Sequence, residues 1–99
     1  MTDGERQAFS RLFDLAGQTE RIEEEFGYKV VLSACRNFLG YLENSIHDGS
    51  FATIADVFVR NTSEELDDLV RASPDHRGFA DEYRSVQARC VAAYRRVSG

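Results

Sequence analysis

The chain has 99 residues, 42% hydrophobic and 29% charged, with a formal net charge of −5. That length suits one domain over residues 1–99 with a real core, and the periodic apolar segments exclude a disordered polymer. No apolar run approaches the roughly 18 residues of a membrane span, and the start Met1-Thr2-Asp3-Gly4-Glu5 has neither the basic nor the apolar region of a signal peptide, so a cytoplasmic protein off the membrane is expected.

Thr2 and Glu5 have the spacing of a capping box, in which each side chain satisfies the other's backbone N–H. A helix is expected over about 3–25, with Phe9, Leu12, Phe13 and Ala16 as its buried stripe, Leu15, Ile22 and Phe26 extending it if the helix runs through Gly17, and Gly27 ending it in a left-handed conformation. Next, Tyr28, Val31, Leu32, Cys35, Phe38, Leu39, Leu42 and Ile46 recur at steps of three and four. At 100° per residue they span an arc of roughly 120°, and Val30, Ala34 and Tyr41 form a second strip beside them. This spacing predicts a central helix over 28–47 that covers two neighbours, stopped by Asp48-Gly49-Ser50.

Phe51, Ile54, Ala55 and Phe58 fit one face of a short helix over 51–60, and a lone strand there would find no partner for its backbone. Thr62 and Glu65 repeat the capping-box spacing, predicting a restart and a fourth, short helix before Ser73-Pro74-Asp75. The last helix is expected from about 75 to 97. Its apolar residues Phe79, Tyr83, Val86, Cys90, Tyr94 and Val97 alternate in steps of four and three, a heptad-like seam suited to the monomer core or to a second copy. The fold class is therefore all-α: a small bundle of about five helices, three long and two short, with the central helix packed against the first and last.

Residue types that support chemistry are sparse. Both histidines lie beside an acid, in His47-Asp48 and Asp75-His76, but two isolated ligands without paired spacing predict no metal. Cys35 and Cys90 fall on apolar faces, where a thiol acts as a small hydrophobe rather than a nucleophile. No glycine-rich phosphate loop occurs, and no cofactor is expected.

Arg71-Ala-Ser-Pro-Asp-His76 places a histidine five positions after an arginine. This segment resembles the Arg-x4–6-His signature of the HEPN ribonucleases, all-helical enzymes that cleave RNA. It departs from that pattern in having no Asn, Asp or His directly after Arg71 and in containing Pro74. The resemblance implies catalytic roles for Arg71, stabilising the phosphorane, and His76, moving a proton, without a metal.

Charge is segregated along the chain. Residues 1–75 hold 7 Arg/Lys against 15 Asp/Glu, whereas residues 76–99 hold 5 Arg against 2 acids. An acidic body tells against binding to a phosphate backbone. Arg77, Arg84 and Arg95 project opposite the apolar seam of the last helix, flanked by Arg89 and Arg96, as a candidate docking strip for an acidic partner. Glu23, Glu24, Glu25, Glu64, Glu65, Asp67 and Asp68 form a candidate acidic surface for a basic protein. A helix–turn–helix over 51–72 is the third alternative, opposed by the acids that there outnumber Arg60 and Arg71. The leading expectation is a non-enzymatic regulator, adaptor or inhibitor of the immunity-protein kind, working by protein contact as a homodimer.

Overall fold

A computed structural model describes residues 2–27, 29–45 and 51–98 of the chain. Four α-helices follow one another: α1 over Asp3–Phe26, α2 over Ser33–Ser45, α3 over Phe51–Ala72 and α4 over Arg77–Ser98, with a single 3-10 turn at Pro74–His76 ahead of α4. Among the described residues there is no strand. The bundle measures 39 × 25 × 17 Å.

Cross-helix pairs fix the topology. Glu23 of α1 meets Arg36 of α2, and Phe38 of α2 lies 6.3 Å from Phe58 of α3. Asp56 and Asp67 of α3 meet Arg95 and Arg84 of α4, and Arg96 of α4 returns to Glu5 of α1. Each helix runs antiparallel to the next, and α4 runs antiparallel to α1, so the connection is up-down-up-down.

The capping box of α1 forms as the sequence dictates: Thr2 N–H donates to Glu5 Oε1 at 3.3 Å and Glu5 N–H donates to Thr2 Oγ1 at 3.2 Å. The helix passes unbroken through Gly17 and ends at Gly27, whose φ of 65° suits a residue without a Cβ. Its buried face is Ala8, Leu12, Leu15, Ala16, Thr19 and Ile22. Phe13, expected on that face, is exposed.

Three expectations about the elements are corrected. The central helix does not begin at 28: residues 29–32 are non-helical, and α2 starts at Ser33. The β-branched pair Val30-Val31 and an outside carboxylate for the Leu32 N–H favour the non-helical path there, although the three-and-four spacing continues through it. The expected pair of helices over 51–60 and 62–72 is one helix, because Thr62 is not a cap. It is buried in mid-helix, where its hydroxyl accepts from Gln87 Nε2 of α4 at 3.4 Å. The element count is therefore four helices and one turn. The expected stop at 48–50, with His47, lies outside the described residues.

The core joins Leu12, Leu15, Leu32, Phe38, Leu66, Leu69, Tyr83 and Val86. The seam of α4 is spent inside the monomer: Tyr83, Val86, Cys90 and Tyr94 are buried and Phe79 packs against them, while the side chain of Val97 lies outside the described residues. The helix expected to pack against the first and last lies instead along α1 and α3, and among the described residues the Tyr83 hydroxyl of α4 donates to its Cys35 carbonyl at 2.7 Å.

Candidate functional site

The start of α2 is assembled by carboxylates from its two neighbours. Glu23 Oε1 of α1 accepts the Leu32 N–H at 2.6 Å and binds Arg36 Nη1 at 2.7 Å. Arg36 also reaches Thr19 Oγ1 at 3.4 Å. Burial raises the Glu23 pKa, but the Arg36 guanidinium and the Leu32 N–H more than offset this and hold it below the usual carboxylate value. From the opposite side, the Glu65 carboxylate of α3 accepts the Ala34 N–H at 2.9 and 3.1 Å and the Ser33 hydroxyl at 3.1 Å. Glu65 thus caps a helix 31 residues away, meeting its positive end. Here burial prevails over the hydrogen bonds, and the Glu65 pKa lies above its ordinary value.

Between those anchors the chain from Lys29 to Leu32 crosses the end of the bundle. Val30 and Leu32 are buried, and Val31 between them is 55% exposed. A cleft opens on each side of it. Toward α1, a cleft of about 570 Å³ is lined by Glu20, Glu23, Glu24, Gly27, Val30 and Val31. Toward α3, one of about 480 Å³ is lined by Lys29, Val30, Val31, Asp68, Arg71 and Ala72. The first combines an apolar floor with acids, two of which, Glu20 and Glu24, are exposed. Such a surface suits an apolar residue flanked by lysine or arginine.

The arginine strip is largely engaged within the bundle. Arg84 pairs with Asp67 and donates to the Ser63 carbonyl at 3.0 Å. Arg95 pairs with Asp56 at 2.9 Å, and Arg96 pairs with Glu5. Arg77 and Arg89 are exposed and enter no ion pair among the described residues. The acidic surface divides similarly. Glu23, Glu65, Asp67 and Asp68 have partners within the chain, whereas Glu24 and Glu64 stand exposed with no ion pair among the described residues. Glu25 lies 3.5 Å from His76 Nε2.

Arg71 and His76 have different neighbours. Arg71 is 75% exposed and pairs with Asp68 at 2.8 Å on its own helix. His76 sits on the 3-10 turn against α1, its ring 5.1 Å from that of Phe26 in an edge-on arrangement, with Nδ1 buried and without a hydrogen-bond partner among the described residues. No hydrogen bond joins Arg71 to His76 among the described residues.

The thiols are core groups. Burial pushes Cys35 up to about 12 and Cys90 up to about 11, leaving both protonated at neutral pH. Among the described residues, no group of three His, Cys, Asp or Glu side chains is placed to hold a metal ion, and no helix is long and apolar enough to cross a membrane.

Sequence reasoning missed Val31 as a surface group, and with it the clefts it shares with Lys29 and Glu20, because helical phase placed Val31 in the core. Gly27 as a stop, two β-branched residues and Ser33 as a new start were the local signals of a break. No family model, curated protein or solved structure matches the chain.

Proposed function

We propose that the chain is a non-enzymatic interaction protein, a small cytoplasmic regulator, adaptor or inhibitor that recognises a basic segment of another protein and also self-associates. The observation that carries this reading is the cleft between α1 and the Lys29–Leu32 segment, where an exposed valine adjoins Glu20, Glu23 and Glu24. An apolar anchor supplies contact area, and unpaired carboxylates select the sign of the partner. The arginine strip adds less, since three of its five members already hold helices together.

The test is affinity capture from native lysate with the wild type and with a Glu20→Lys/Glu24→Lys variant. The eluates are analysed by mass spectrometry and for RNA. A stoichiometric protein retained by the wild type and lost from the variant supports the proposal. Equal recovery by both refutes the cleft as the contact. RNA without protein would refute the reading and favour the ribonuclease alternative through Arg71 and His76.

A further inference from the structure

The two clefts beside Val31 differ in electrostatic character. The α1 flank carries Glu20, Glu23 and Glu24, and the α3 flank carries Lys29 and Arg71 with Asp68. Glu23 is balanced by Arg36, and Arg71 by Asp68. The uncompensated groups are therefore Glu20 and Glu24 on one flank and Lys29 on the other. All three are exposed, and none enters an ion pair among the described residues.

An apolar ridge between flanks of opposite sign is complementary to itself. A two-fold axis along the ridge stacks Val31 on its counterpart and lays the acidic flank of each copy over the basic flank of the other. This is the isologous geometry of a closed dimer. Other two-fold placements oppose like charges, which disfavours them.

Resting on the interaction reading above, we infer that this surface closes a homodimer in which Lys29 of the second copy enters the cleft of Glu20, Glu23 and Glu24. The second copy then supplies the cation that the cleft lacks, and Val31 leaves water. Self-association and capture of a basic partner use the same cleft. Dimerisation therefore masks it, and a partner must displace the second copy.

The experiment is sedimentation equilibrium across the micromolar range. It compares the wild type, Val31→Asp, an acidic variant (Lys29→Glu/Arg71→Glu) and a basic variant (Glu20→Lys/Glu24→Lys). The substituted side chains are all at the surface, Arg71→Glu gives up the pair with Asp68, and circular dichroism verifies that each variant folds. The wild type is expected to be a dimer. Val31→Asp and each charge-reversed variant alone should associate at least about tenfold more weakly. An equimolar mixture of the acidic and basic variants should restore a dimer. A wild type that stays monomeric, a dimer unaffected by Val31→Asp, or a mixture that fails to pair overturns the inference. A monomer that still captures a basic partner through Glu20 and Glu24 would overturn the dimer alone. A dimer that captures nothing would overturn the partner reading alone.

Discussion

Replacing Glu65 with alanine removes the carboxylate that closes the start of α2. The Ala34 N–H and the Ser33 hydroxyl lose their acceptor. Loss of a capping acceptor costs about 0.5–2 kcal/mol, and a donor left unsatisfied in a half-buried site costs about 1–3 kcal/mol. These overlap, so the expected loss is about 2 kcal/mol, or roughly 8–16 °C in Tm at 4–8 °C per kcal/mol for a domain of this size. Glu65→Gln keeps one acceptor oxygen and offers an N–H to Ser33, so its loss should stay under about 1 kcal/mol. Burial holds the folded-state pKa of Glu65 above its unfolded value. The folded state therefore binds the proton more tightly, and this carboxylate's contribution to stability rises as pH falls through the folded pKa, levelling off below the unfolded one. Urea denaturation of wild type and Glu65→Gln at several pH values isolates that slope, because Glu23 and other carboxylates cancel in the difference. Glu65→Ala as stable as wild type, or a difference that falls with acidification, would refute the cap and its burial cost respectively.

Tyr83→Phe removes the hydroxyl bonded to the Cys35 carbonyl while keeping the ring, and should cost about 0.5–1.5 kcal/mol; equilibrium unfolding measures it, and an unchanged midpoint would contradict the bond. Cys35 and Cys90 should be nearly silent to a disulfide reagent at neutral pH until denaturant opens the core; prompt labelling of the native chain would contradict their burial.

The fold was readable in the sequence wherever the signal was local. Thr2 and Glu5 set the start of α1 by a spacing of three, and the α4 seam from Phe79 to Tyr94 packs as its steps of four and three require. The failures came where a distant group overrode the local pattern. Helical phase runs on through Val30 and Val31, yet Glu23 and Glu65 fix the start of α2 at Ser33 from two other helices. Thr62 reads locally as a cap, but Gln87, 25 residues on, gives its hydroxyl a partner inside the bundle. The candidate site was harder still. Composition along the chain exposes the segregation of charge, but which charges remain unpaired depends on cross-helix partners such as Asp67 with Arg84 and Glu5 with Arg96. That pairing leaves Glu20, Glu24 and Lys29 around Val31, and no local spacing announces it.

The most direct test of the account is photo-crosslinking from position 31. Val31 is replaced in the full chain by a photoreactive amino acid and irradiated in the cells that make the protein, with the exposed Arg77 position as a control. The account predicts protein adducts from position 31, at twice the chain mass or with a partner, and far weaker adducts from position 77. Adducts that arise from position 77 but not from position 31, or nucleic-acid adducts alone, would contradict it.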